Sequence, residues 1–559
     1  MTASTTARGT PEAAVMSTGT PTKEDINADA THLPSVRDVV QEVKGPTDVS
    51  DEVLLHGAPF FVMIASVIMA VFLVALSATV LGTVAPTITS EFHTVKDVGW
   101  YASAYLITNC GMAPFTGTLY RMFHLKPLFI IFIGIFELGC LIAATAQSSN
   151  VLIIARAISG IGGSGIVTGS ITIIAATVPL DRRAFLIGIG MACLAIGQTI
   201  GPIIGGLLTT YVSWRWCFYI NLPMGAVVVI PLGLFVKLPV TRLTTSKLTV
   251  IQRVLSIDLI GFFGFAAACV MFLLGLEWGG DTYPWNSSTV IGLLCGGLAA
   301  FACLGGWFVY KGDSALIPPR LMKNRINLAL FLTAFLQSGG VYTASYWLPI
   351  WFQGIKGASP LSSGIRILPM VISQFITSII CGALVQKTGY YLPEVVGGNA
   401  LVAAGAALMS TMKPDTTEGQ WIGYQILLEL GGVTAIQTNI PPEDASIGAS
   451  YVMFSQYLGG AIFASIAKTV FTSSIRPALL KYAPSVNSNF LVDSGVTNLR
   501  DVIPAKDLSG ALLAYNEAVD HVFDVQLATA CGALVAGFFV GWRKVSRKRS
   551  NKKDIETSD

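Results

Sequence analysis

Two ionisable side chains stand inside apolar runs where a charge is costly: Arg156, within a run over about 151 to 178, and Glu137, within one over about 127 to 147. An unpaired charge at the apolar centre of a membrane costs at least ~2.5–3.5 kcal/mol, so Arg156 requires a polar interior and a partner. A structural ion pair or an arginine snorkelling to a helix end is the alternative role. A carboxyl in such a setting can take up and give back a proton, which makes Glu137 a candidate proton carrier. A protonated acid bonded to a neighbouring helix is the structural alternative. Ser77, Gln198, Gln337 and Gln353, with the aromatic Tyr346 and Trp347, offer flat apolar surface and a few hydrogen-bonding groups. Such a lining suits a planar or amphiphilic organic molecule better than an ion or a sugar. Aromatic belts at the membrane surface draw on the same residue types.

These residues are carried by long apolar segments. The 559 residues are 53% hydrophobic and 12% charged, with a mean hydropathy of +0.65, so lipid must be the main solvent. Each apolar run of about 20 residues should close into a helix, because no backbone group can be left unpaired in lipid. About fourteen such runs occur, over about 58–84, 98–119, 127–147, 151–178, 185–209, 216–236, 256–276, 288–310, 327–352, 361–386, 393–412, 420–439, 447–472 and 522–542. With the polar first 57 residues as a disordered cytoplasmic tail, the loops on that side carry Arg121, Lys126, Arg182, Arg183, Lys237, Arg242, Lys247, Arg253, Lys311, Arg320, Lys323, Arg325 and Lys387. The opposite loops carry few positive charges, so both termini are expected in the cytoplasm. The basic stretch over 543–559 would then lie against the anionic membrane face.

Other classes are disfavoured. A net charge of +3 without a basic patch interleaved with aromatics gives no reason for a nucleic-acid partner. The nine cysteines are scattered, mostly within apolar runs, with no C-x-x-C pair; no metal cluster or nucleophile and base pair is visible, so no metal, cofactor or enzymatic activity is expected. The single N-x-[ST] sequence starts at Asn286, in a non-cytoplasmic loop close to the next span, and is a candidate glycosylation site.

Two short strings recur at a shared offset. Gly117-Thr-Leu119-Tyr-Arg121 resembles Gly382-Ala-Leu384-Val-Gln-Lys387, and Pro179-Leu-Asp181 resembles Pro441-Pro-Glu443, both displaced by about 260–265 residues. A duplicated bundle of about six helices with two extra spans between the copies would produce this spacing. The expected division is an N-terminal bundle over 58–236, a central pair with its loops over 237–326, and a C-terminal bundle over 327–542 that includes a long non-cytoplasmic loop over 473–521.

The fifth span contains Gly197-Gln198-Thr-Ile-Gly201-Pro202-Ile-Ile-Gly205-Gly206. Glycine removes side-chain bulk and proline removes a backbone donor, so this helix can bend and approach a neighbour closely. The string resembles the antiporter motif of the major facilitator superfamily. Continued through Trp214-Arg215-Trp216-Cys217-Phe218-Tyr219-Ile220-Asn221-Leu222-Pro223, it resembles the fungal fourteen-span drug:proton antiporters, which include mycotoxin and drug efflux pumps. Trp100-Tyr101, Arg156-Ala-Ile-Ser-Gly160-Ile-Gly162, Trp278-Gly279-Gly280, Ile317-Pro318-Pro319-Arg320, Tyr346-Trp347-Leu348-Pro349 and Leu458-Gly459-Gly460-Ala461 are similar to that family's strings in the same order.

The resemblance implies an all-α polytopic fold of two six-helix bundles plus two central spans. It also implies alternating access, export of a small organic compound in exchange for protons, and a role for Arg156 in proton transfer. A monomer in the plasma membrane, or in a vacuolar or vesicle membrane, is the expected form. Gly117, Arg121 and Lys126 match the superfamily's gating loop, with Asp181 and Arg182 nearby, although Tyr120 stands where that loop carries an acid. Ser77 stands where such antiporters carry an aspartate, and a hydroxyl cannot cycle charge near neutral pH. Span twelve reads about two turns shorter than its counterpart, with Glu429 at its centre. A siderophore-type proton symporter shares the same plan, and a non-transporting or degenerate membrane protein is a third reading.

Overall fold

The computed structural model describes residues 57–93, 97–236, 238, 257–280, 282–390, 392–431, 445–486 and 503–541. The tail expected over 1–57 lies, but for Gly57, outside the described residues, as does the basic segment over 543–559. Among the described residues the regular structure is helical, and the only strand-like pairing is an isolated bridge between Gly279 and Tyr283.

The helices follow the apolar runs. They are α1 (Ala58–Thr79), α2 (Leu81–Phe92), α3 (Val98–Met122), α4 (Leu125–Ala144), α5 (Ser149–Thr177), α6 (Leu180–Tyr211), α7 (Trp216–Tyr219) and α8 (Asn221–Phe235) in the first half. Then come α9 (Leu259–Trp278) and α10 (Ser288–Lys311), followed by the short α11 (Pro319–Lys323). The second half holds α12 (Arg325–Gly354), α13 (Pro360–Arg366), α14 (Leu368–Thr388), α15 (Leu392–Met409), α16 (Glu418–Leu428), α17 (Ala445–Tyr482) and α18 (Ala505–Phe538). Twelve helices among the described residues are long and apolar enough to cross a membrane. Two of the fourteen expected spans are not among them: α3, 25 residues long but studded with polar side chains, and α16, which is 11 residues long.

Three boundaries differ from expectation. Glu429 is not at a helix centre: it follows the last residue of α16, where the amides of Glu429 and Leu430 tighten onto the carbonyls of Ile426 and Leu427 ahead of Gly431. The rest of span twelve, 432–444, lies outside the described residues. The loop expected over 473–521 is helical at both ends, because α17 continues to Tyr482 and α18 starts at Ala505. At a rise of ~1.5 Å per residue the 38 residues of α17 span about 57 Å and the 34 of α18 about 51 Å, against a hydrocarbon core of about 30 Å. Their surplus turns pack on each other through the Phe471 and Tyr515 rings, the Lys481–Glu517 ion pair and the close approach of Gly510 to Tyr482.

The two halves repeat one packing plan. In the first, α1 lies on α6 and α8, α3 on α5, and α4 on both α5 and α8. In the second, α12 lies on α17 and α18, α14 on α16, and α15 on both α16 and α18. The halves meet through α6 on α14 and α3 on α17. The α9–α10 pair attaches through α9 to α3 and α17, with Trp100 and Trp278 edge to face at 6.0 Å. Asp258, buried at the start of α9, accepts from the Gly261 and Leu316 amides and the Trp307 indole, which fastens this pair at its end.

Candidate functional site

The glycine string of α6 forms a seam with α1 and α2. Residues four apart share a helix face, and Gly197, Gly201 and Gly205 present theirs to Phe72–Thr83. A methyl at Gly197 would stand 2.8 Å from the Phe72 carbonyl, one at Gly201 3.1 Å from the Leu76 carbonyl and against Thr79 Oγ1, and one at Gly205 2.8 Å from the Val80 carbonyl. Gly206, the next residue, faces open space. Thr83 Oγ1 donates to the Pro202 carbonyl at 3.0 Å and closes the seam beside the proline. The seam allows two helix backbones to touch, which α6 needs if it bends or slides as a unit.

Arg156 lies where α5 crosses α1 and α3, and it is 0% exposed. Its Nη1 donates to Ser77 Oγ at 3.0 Å and its Nε to the Tyr101 carbonyl at 3.0 Å. The guanidinium covers the Tyr105 ring 4.5 Å from its centroid, while Nη2 has no hydrogen-bond partner. The Tyr101 hydroxyl donates to Ser149 Oγ, which in turn donates to Asp97, so a polar thread runs from the start of α3 to the arginine's neighbourhood. Glu137 is not brought onto Arg156. Its buried carboxyl oxygens make no hydrogen bond and fill the space left by the missing side chain of Gly225 on α8. Cys140, one turn further along α4, stands between them with Ser77 and Ser159 as neighbours.

The cavity residues divide into separate places. Gln198 is half-buried beside the Tyr342 hydroxyl of α12, across the junction of the halves. Tyr105, Tyr342 and Tyr457 share that junction, with Asn109 fully buried among them and neither atom of its amide hydrogen-bonded. Gln337 is buried and donates to the Gly431 carbonyl at 2.6 Å, just past α16. Trp347 is buried against Phe471 at 4.7 Å in the core of the second half, and Gln353 donates to Ser363 Oγ near the end of α12. Tyr346 is 65% exposed and points away from the junction, as an aromatic of the membrane surface does. Tyr105, Asn109 and Tyr457 were missed from the sequence. An asparagine one turn after a tyrosine in a span that also faces Arg156 was the available signal.

The gating-loop residues are built into helix ends. Gly117 on α3 meets Ser446 and Ser450 of α17 so closely that a methyl would collide with the Ser446 carbonyl at 2.8 Å. Lys126 Nζ donates to the Gly233 and Val236 carbonyls and caps α8, at 2.6 and 2.8 Å. Arg121 is half-buried, Arg182 is exposed, and the side chain of Asp181 lies outside the described residues. Tyr120, in the place of the family's acid, is buried against Phe132 and Gly169. At the opposite end, Arg215 Nη2 donates to Glu91 Oε1 at 2.8 Å and to the Ala146 carbonyl at 3.1 Å, and Trp214 Nε1 donates to Glu91 Oε2 at 2.6 Å. The hydrogen bonds from Arg215 and Trp214 hold the Glu91 carboxyl below its ordinary value of 4.5. Asn286 is exposed in the turn between α9 and α10, one residue before the Ser287 cap.

Two similarly packed helical bundles, joined along α6–α14 and α3–α17 around a polar junction, describe a membrane transporter architecture. A family model described as the Major Facilitator Superfamily matches residues 67–464, and the chain belongs to that superfamily. It is 42% identical over 510 residues to the MFS-type transporter pigP of Monascus ruber, covering 90% of this chain and 89% of that one. It is 40% identical over 520 residues to the efflux pump mlcE of Penicillium citrinum, covering 90% and 94%. Among solved structures, the proton:xylose symporter XylE bound to 6-bromo-6-deoxy-D-glucose superposes with a TM-score of 0.56 over 87% of this chain and 97% of that one. At 14% identity that likeness concerns the fold.

Proposed function

We propose that this chain exports small organic compounds by proton-driven alternating access. The similarity to a fungal efflux pump over nine-tenths of both chains carries the reading. The duplicated packing supports the mechanism. If the halves tilt against each other about α6–α14 and α3–α17, the junction around Gln198, Tyr105, Tyr342 and Tyr457 opens to one side at a time. The glycine seam keeps α1 and α6 together during that motion. Protons bind at Glu137, whose carboxyl is bonded to nothing else, and Arg156 senses the change from the far side of Cys140. Both termini face the cytoplasm, the protein acts as a monomer in the cell membrane, and Gly117, Arg121, Lys126, Asp181 and Arg182 lie at the cytoplasmic gate.

The test is efflux of a set of fluorescent planar compounds of differing charge from cells expressing the intact chain, with and without a protonophore. Expected is lower accumulation than in control cells, abolished by the protonophore. Accumulation equal to that of control cells in both conditions sinks the reading. Protonophore-sensitive efflux persisting in Glu137→Gln removes that residue from coupling.

A further inference from the structure

We propose that Arg156 anchors an anionic group of the exported compound, so that the preferred substrates are organic acids; this rests on the export reading above. The guanidinium is wholly buried, yet its hydrogen bonds go to neutral oxygens, the Ser77 hydroxyl and the Tyr101 carbonyl. Its titratable neighbours are Tyr105 and Cys140. Glu137, the acid of the adjoining helix, is turned into the Gly225 notch. Among the described residues no carboxylate pairs with it.

A buried cation surrounded by dipoles alone is under-compensated, and an arriving carboxylate supplies the missing charge. The donors are in place: Nη2 has no partner, and the Asn109 amide, on the other side of the Tyr105 ring, has neither atom bonded. Charge-assisted bonds from a guanidinium fork are about twice as strong as neutral ones, so the acid gains where its amide does not.

Tyr105 is the door to this site. One face of its ring carries the guanidinium, and its neighbours across the junction are Tyr342 and Tyr457 of the second half. Its hydroxyl is tethered only by a long 3.4 Å bond to the Val74 carbonyl, so the ring can turn without giving up a strong contact. An acid entering between Gln198 and Tyr342 reaches Arg156 by displacing that ring. A cation on the same path meets the uncompensated positive charge and is rejected.

The full-length protein, purified in detergent, is unfolded thermally with benzoate, benzamide or sodium chloride at equal concentration. Benzoate is expected to raise the midpoint by a few degrees, and benzamide and chloride to leave it unchanged. Ser77→Asp places a carboxylate against Nη1 and should raise the midpoint without ligand while abolishing the benzoate response. In cells, coumarin-3-carboxylate should leave at least about tenfold faster than coumarin-3-carboxamide, with the ratio lost in Ser77→Asp. The comparison of benzoate with benzamide in the unaltered chain stands whether or not the variant folds.

A benzamide shift equal to that of benzoate, a benzoate response surviving in Ser77→Asp, or a chloride shift accounting for the whole effect overturns the anchor. Equal, protonophore-sensitive export of both coumarins keeps the export reading and removes the anchor. A benzoate response with no coumarin efflux supports the anchor and removes the export reading.

Discussion

The two halves share a packing plan and differ in what they bury. Beyond the central pair, the buried cations are Arg156 and Arg183 of the first half, whereas the second half buries the acids Glu394 and Glu429 among its described residues. The seams differ too. In the first half three glycines of α6 meet backbone along α1 and α2. In the second, Gly459 of α17 takes the Phe335 carbonyl, while aromatic rings fill the rest, Phe463 against Gly339 and Tyr342 against Gly460. The difference teaches that a duplicated scaffold can keep its helix neighbours while one copy specialises in charge and close sliding contact and the other in aromatic packing.

The sharpest break in that comparison is at Gly459. A methyl there meets the backbone of Phe335, which cannot turn aside, so Gly459→Ala should cost about 3 kcal/mol of stability, the upper end for overpacking. Gly206→Ala, with open space around it, should stay within about 0.5 kcal/mol. Thermal unfolding of both purified variants checks the pair, and equal midpoints would dissolve the distinction.

Next in size is the polar core of the second half. Trp351 donates to Asn516 Oδ1 at 2.9 Å, and Asn516 donates to the Met412 carbonyl at 2.8 Å. Trp351→Phe leaves that buried oxygen without its donor and should cost about 2 kcal/mol. Loss of transport without loss of stability would show that this network belongs to the site rather than the scaffold.

A smaller effect is expected at Gly225. Alanine there pushes the Glu137 carboxyl out of its notch, and protonophore-sensitive efflux should fall about tenfold, roughly 1.4 kcal/mol. Unchanged efflux would mean that the notch does not set the position of the acid during coupling.

The smallest effect separates the outer ends. In the first half Arg215 ties the loop at Ala146 to the carboxylate of Glu91; in the second, Lys356 donates to the Pro414 and Thr416 carbonyls of the corresponding loop. Only the first contains an acid. Glu91 is held below its ordinary value of 4.5, so its contribution is complete above that pH and is lost as the pH falls through the lower folded value. The pair is partly exposed, so screening limits it to under about 1 kcal/mol. Glu91→Gln should lower the midpoint slightly near neutral pH and match the unaltered chain in strong acid. A gap that persists there would assign the clamp to the Trp214 contact alone.

Most of the helix positions were legible because burial in lipid demands long apolar runs, and the repeat was legible from the offset between Gly117 and Gly382. The start of α18 was not. Residues 505–521 alternate small, aromatic and acidic side chains, and they are helical because the surplus turns of α17 lie beside them. At the site, Arg156 and the glycine string announced themselves by residue type. Their partners did not. Ser77 lies 79 positions from Arg156, and Gln337 bonds a carbonyl 94 positions away, pairings that only helix packing determines. Tyr346 and Trp347, adjacent in sequence, face opposite environments, because neighbours in a helix are turned about 100° from each other.

The length of α17 and α18 has a mechanical consequence. A rigid helical pair that outruns the hydrocarbon by about 20 Å is a pointer fixed to the second half, and its tip must sweep a wider arc than any residue within the bilayer. A tilt too small to register at Tyr342 would be magnified at Leu480, 74% exposed near the end of α17. A spin label or fluorophore there, paired with one on the first half, would read out each cycle of the halves as a change in distance.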